Sequence, residues 1–237
     1  MSKENQATPF DPNSDFIETS DAKESQEFLH QKVSELGAKL SNYSTNDTSI
    51  ECADALVELA NAELGIASME NVWSHAKRAF DIYLKQEAWE QAVECCDLLY
   101  QTELPSAISA LGHGVWLAVT FPISVQHSIN MLNYIINETP DNADGAALAA
   151  IVAHFIVDMR CEGEEKENLR FITMNMIAKV AKRHSNVETQ TGLDVWMEKL
   201  ELLDPEVFLP RFSLVVGAIA GETWWYDRDE LRAKIPQ

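Results

Sequence analysis

From Asn71 to Thr102 the chain reads NVWSHAKRAFDIYLKQEAWEQAVECCDLLYQT. Val72, Ala76, Ala79, Phe80 and Tyr83 recur at spacings of three and four, which puts them on one face of a helix. Lys77, Arg78, Asp81 and Lys85 fall on or near the other face. A second stripe follows in Trp89, Ala92, Val93, Cys96, Leu99 and Tyr100, with Glu90, Gln91, Glu94 and Asp97 as its wet side. Only Gln86, Glu87 and Ala88 separate the two. So short a connection makes the helices antiparallel neighbours.

The stretch resembles the tetratricopeptide pattern. Tyr83 stands late in the first helix, the aromatic Trp89 opens the second, the small Ala92 sits at the crossing, and Leu104-Pro105 ends the unit. It departs from the family at three places. Phe80 holds the glycine position, Cys96 holds an aromatic position, and Pro105 falls one residue late. A fainter copy runs from Pro122 to Pro140, where Ser128 follows Ala92 by 36 residues, a helix-pair period. The resemblance implies stacked helical hairpins that offer a surface to peptides or proteins.

The rest of the chain reads as helices too. Residues 1–22 are polar and acidic, with only Phe10 and Phe16 as large apolar groups, and are expected to form a mobile tail. Residues 23–237 are expected to be a single all-helical domain. Helices are expected from Ser25 to Leu40 and from Ile50 to Ile66, the first capped by Ser25 and the second by Thr48 or Ser49. A further helix starts near Pro105 and carries Gly112-His113-Gly114. Two glycines around a histidine imply a kink or a second backbone in close approach. Ala146 to Met159 is the most apolar run and predicts a central buried helix, too short to span a membrane. Glu165–His184 follows, and Val187–Leu203 with Pro205–Ala220 make an expected last pair, Asp204 and Pro205 opening its second helix. The expected fold is therefore all-α, about ten helices in antiparallel hairpins, forming a bundle or a tetratricopeptide-like solenoid.

Charge narrows the function. Asp and Glu total 38 against 18 Lys and Arg, a net charge of −20, which repels phosphate backbones and argues against nucleic-acid binding. The first 70 residues hold 14 acids and 4 bases, so a basic protein partner is the expected one. A nucleic-acid mimic is a further alternative. A polar N-terminus and the lack of a long apolar run point to a cytoplasmic protein without a membrane partner. Four cysteines (Cys52, Cys95, Cys96, Cys161) lack zinc spacing and read as reduced core residues.

Chemistry-bearing motifs are sparse. There is no phosphate loop, nucleophile elbow or HExxH, and neither a metal nor a cofactor is expected. The alternative enzyme reading rests on His154 and Asp158, four apart on the most apolar helix, with Arg160 beyond them and with His113 and His127 on other helices. The leading expectation is a non-enzymatic interaction, accessory or assembly protein. Its expected contact residues are Trp224, Trp225, Tyr226 and Arg228, because Trp, Tyr and Arg dominate binding hot spots. The same segment also reads as a cap folded back over the last helix pair.

Overall fold

The computed structural model describes residues 14–235, with side chains from residue 26 onward. Among these residues there are eleven helices and no strands. They are α1 (Ser14–Leu40), α2 (Ile50–Glu63), α3 (Met69–Lys85), α4 (Trp89–Gln101), α5 (Ala107–Thr120) and α6 (Val125–Glu138). They continue with α7 (Gly145–Arg160), α8 (Gly163–Ser185), α9 (Gln190–Lys199), α10 (Pro205–Ala220) and α11 (Arg228–Arg232). Each helix from α1 to α8 packs on the next.

The hairpin of α3 and α4 forms as its periodicity predicts. Val72, Ala76, Ala79, Phe80 and Tyr83 are all buried, as are Ala92, Val93, Cys96 and Leu99. Phe80 is the departure that matters. Where the tetratricopeptide pattern has a glycine, a fully buried ring stands, and Trp225 and Tyr226 of the C-terminal segment pack on it at 5.4 and 6.3 Å. Trp89 is only half-buried and stacks on Phe121 at 3.9 Å, with the rings 11° from parallel. Its truncation removes that stack and one wall of the hairpin. Trp89→Ala should cost about 2 kcal/mol, below the 3–5 kcal/mol expected of a fully buried tryptophan. Urea denaturation checks this, and an unchanged midpoint would remove Trp89 from the packing.

Three expectations shift, and one alternative is decided. Helix α1 starts at Ser14, so Ser25 lies inside it and caps nothing; residues 1–13 of the expected tail lie outside the described residues. Ser49 rather than Thr48 caps α2, its hydroxyl accepting from Cys52 N–H. Helix α9 is shorter than the expected Val187–Leu203. And α9 and α10 are not the expected last pair. Helix α9 packs on α8, while α10 turns away and packs on α5 and α7. Burial of Leu202 in the connection and of Phe208, Phe212, Val216 and Ala220 along one side of α10 drives that change of partner. Asp204 caps α10 as expected, accepting from Glu206 N–H at 2.9 Å.

Helix α7 is the buried centre that its composition predicts, with ten of its residues from Ala146 to Val157 buried. No helix among the described residues is long and apolar enough to cross a membrane.

Candidate functional site

The two glycines of α5 are explained by close approach rather than by a kink. A Cβ placed on Gly112 would lie 2.4 Å from the backbone N of Ala220 and 2.6 Å from its Cα. The end of α10 thus crosses α5 backbone against backbone. Ser109 fastens the crossing by donating its hydroxyl to the Ala220 carbonyl at 2.6 Å. A Cβ on Gly114 would meet Met131 Cε and Cys96 Cβ at 2.5 and 2.6 Å, so α5 is also pressed on α4 and α6.

At Gly221 the backbone turns with φ +85°, a left-handed value that suits glycine. The chain then runs back as a strap across α5 and α3. Its aromatic residues close over His113. Trp225 stacks on the imidazole at 4.1 Å, and Trp224 and Tyr226 meet it edge-on at 5.0 and 5.5 Å. Tyr226 donates its hydroxyl to the His113 carbonyl at 2.9 Å. Two cations pin the strap through ring faces, Lys77 of α3 over Trp225 at 4.8 Å and Arg232 over Trp116 of α5 at 5.6 Å, while Arg228 over Trp224 at 4.3 Å braces the strap internally. Lys234 pairs with Glu87 at 3.1 Å.

Of the expected contact residues, Trp224, Trp225 and Tyr226 therefore engage this chain's own body, and Arg228 covers Trp224. The strap folds back as one of its two readings has it, but over α5 and α3 rather than over the last helix pair. His113 beneath it is fully buried, and neither ring nitrogen has a hydrogen-bond partner. Burial, with help from the Lys77 charge, lowers its pKa from 6.5 to about 3. A neutral imidazole in an aromatic box is the result. With the strap in place neither ring nitrogen touches solvent.

His154 and Asp158 are each occupied elsewhere. His154 Nδ1 lies 2.8 Å from the hydroxyl of buried Thr173. That hydroxyl donates to the Leu169 carbonyl at 2.9 Å, so Nδ1 carries the hydrogen of the pair. Nε2 then faces Asp158 Oδ2 at 4.0 Å, beyond hydrogen-bonding distance. Asp158 is held by Arg170 at 2.9 Å and Lys166 at 3.7 Å. Burial lowers the His154 pKa, the Asp158 charge opposing and Arg170 assisting. Arg160 does not join them. Its guanidinium donates to the Ala118 and Val119 carbonyls at 3.0 and 2.7 Å and closes the C-terminal end of α5. His127 Nδ1 lies 2.5 Å from Glu90 Oε1. His113, His127 and His154 keep separate neighbours, and the described residues hold no group of three His, Cys, Asp or Glu placed to bind a metal.

No protein-family model, curated protein or solved structure matches this chain. The tetratricopeptide resemblance rests on the sequence of residues 71–105 and its fainter copy from Pro122 to Pro140.

One feature on the opposite side of α4 escaped the sequence reading. A notch of about 20 Å³ lies between α4 and α6, lined by Val93, Glu94, Asp97, His127, Asn130 and Met131. Val93 and Met131 form a buried apolar floor. Glu94 and Asp97 stand above it on successive turns, and neither forms an ion pair among the described residues. Helix α6 beside it is exposed along Gln126, Asn130, Asn133 and Asn137, a row of uncharged amides. The signal available in the sequence was the four-residue amide spacing, which reads as an ordinary solvated face.

Proposed function

We propose that the protein is a non-enzymatic interaction protein whose α4–α6 face receives an extended segment of a basic partner. The observation that carries this is the notch with two carboxylates over an apolar floor. Its size suits one compact ammonium group, as on a lysine, and is too small for a guanidinium. The amides of Asn130, Asn133 and Asn137 beside it offer both donors and acceptors, which an extended peptide backbone needs. The engagement of His154 and Asp158 by Thr173, Arg170 and Lys166 favours this reading over the enzymatic one. The strap aromatics take no part, because they hold the chain's own helices together.

The test uses an extended lysine- and arginine-containing peptide, with binding read by fluorescence anisotropy. Glu94→Gln with Asp97→Asn should weaken binding about tenfold, since each partly exposed ion pair contributes up to about 1 kcal/mol. Glu206→Gln with Glu222→Gln removes the same charge from exposed positions elsewhere. An equal loss in both double variants would reduce the binding to general attraction by a −20 chain and overturn the assignment.

A further inference from the structure

Helix α10 buries one side against α5 and α7 and leaves the other bare. An apolar stripe runs along the bare side, flanked by the exposed Glu206 and Ser213. Val207, Pro210, Leu214 and Ala218 follow one another at spacings of three and four, and Leu203 stands just ahead of the first turn. Leu203 is 63% exposed and Leu214 is 75% exposed. Single exposed leucines are ordinary, but a continuous stripe on one helix marks a contact surface. Arg211, on the flank of the stripe, is turned away from it: it donates to the Leu200 carbonyl and pairs with Asp144 at 3.0 Å. The helix carries one acid, Glu206 in its first turn, and none from Val207 to Ala220.

We propose that this stripe pairs with the same stripe of a second copy of the chain, antiparallel about a two-fold axis near Pro210. Two features select a second copy as the occupant. The first is shape. The stripe is bulky at its start and small at its end, and a Cβ built on Gly217 meets nothing within 4 Å. Turned end over end, Leu203 of one copy lies over the Gly217–Ala218 shelf of the other, and Val207 lies against Leu214. That is the self-complementarity a two-fold contact needs. The second is charge. Copies of a −20 chain repel one another over most of their surface, and from Val207 to Ala220 the α10 face adds no acid to that repulsion, Asp204 and Glu206 standing only at its first turn.

The stripe is roughly 24 Å long at 1.5 Å per residue. A helix pair of that length buries less than the ~800 Å² per partner of a standard stable interface, so the dimer is reversible and exchanges with monomer. Its salt dependence is diagnostic. Screening removes repulsion between like-charged copies and leaves the apolar contact, so salt strengthens this association, whereas it weakens the docking of a basic peptide.

Sedimentation equilibrium of the full chain at about 50 mM and about 500 mM salt, either side of the ionic strength where surface charges are screened within ~10 Å, tests it. The expected result is a monomer–dimer equilibrium that tightens with salt. Leu214→Asp should raise the dissociation constant at least about 30-fold, the effect of losing one central contact. Phe171→Asp, at a 71% exposed position on α8, should leave it unchanged. Oxidised Pro210→Cys should yield a cross-linked dimer, because the four native cysteines are buried. A monomer at both salt concentrations, a dimer that survives Leu214→Asp, or a dimer loosened by salt would each overturn the proposal.

Discussion

Acidification should destabilise the wild-type protein by about 4 kcal/mol more than a His113→Leu variant between pH 7 and pH 3, a figure set by the shift of the His113 pKa from 6.5 to about 3. The folded protein holds this imidazole neutral, and the unfolded chain protonates it near 6.5. Below 6.5 the unfolded state therefore takes up a proton that the folded state refuses. The stability is fully present above pH 6.5 and is lost as pH falls toward 3. His113 is out of contact with solvent, so water does not screen the effect. The protein's isoelectric point is near 4.5, which makes urea denaturation from about pH 7.5 to about pH 5 the practical range; there the difference should reach about 2 kcal/mol. His154, whose pKa burial also lowers, contributes alike in both proteins and cancels. At neutral pH the leucine variant should be no less stable than wild type, because it removes two unpartnered ring nitrogens from the core. Parallel pH profiles for the two proteins would show that the strap opens to water and that His113 is not held neutral.

The fold was legible wherever one helix face carries the signal. The α3–α4 hairpin could be read from its stripes because both faces are present in 32 consecutive residues. Helix α7 could be read because an apolar run of that length has nowhere to go but the centre. The start of α1 was not legible. Ser14 to Glu24 holds few apolar residues, so periodicity says nothing there and the composition reads as tail. The change of partner by α10 was hidden for a different reason. Periodicity reports that a face is apolar and not what covers it, and a short connection from α9 argued for a hairpin that the burial of Leu202 diverts. The site was legible in pieces. Gly112-His113-Gly114 and Trp224-Trp225-Tyr226 each stood out, but more than a hundred residues separate them, and nothing in one sequence says that they meet. Lys77 was read as part of a wet helix face. Its methylene stem in fact carries the ammonium over Phe80 and Trp225 at 5.3 and 4.8 Å.

Gly112→Ala should cost about 3 kcal/mol, the upper end of what overpacking a core costs. One methyl group causes this because it meets main chain rather than a movable side chain: Ala220 N at 2.4 Å and Ala220 Cα at 2.6 Å. Neither α5 nor α10 can yield alone. Helix α5 is pressed on α4 and α6 at Gly114, and α10 is anchored on α7 and by Ser109 at the crossing. The better helix propensity of alanine recovers only about 1 kcal/mol. A control has the opposite sign. Gly37→Ala in α1, where an added Cβ meets nothing within 4 Å, should stabilise by about 0.5–1 kcal/mol. The damage at Gly112 should also be directional. Ala220 immediately precedes the Gly221 turn, so displacing it lifts the strap from its seat. Hydrogen exchange should therefore accelerate in α10 and α11 before it does in α2 to α4, and Trp224 and Trp225 should change their fluorescence in the folded state. Adding Ala220→Gly removes the Cβ at 2.9 Å but leaves the two closer backbone atoms in place, so it should restore less than half of the lost stability. Full rescue would mean that side-chain contact, not backbone contact, sets the crossing of α5 and α10, and would detach the glycine pair from the seating of the strap.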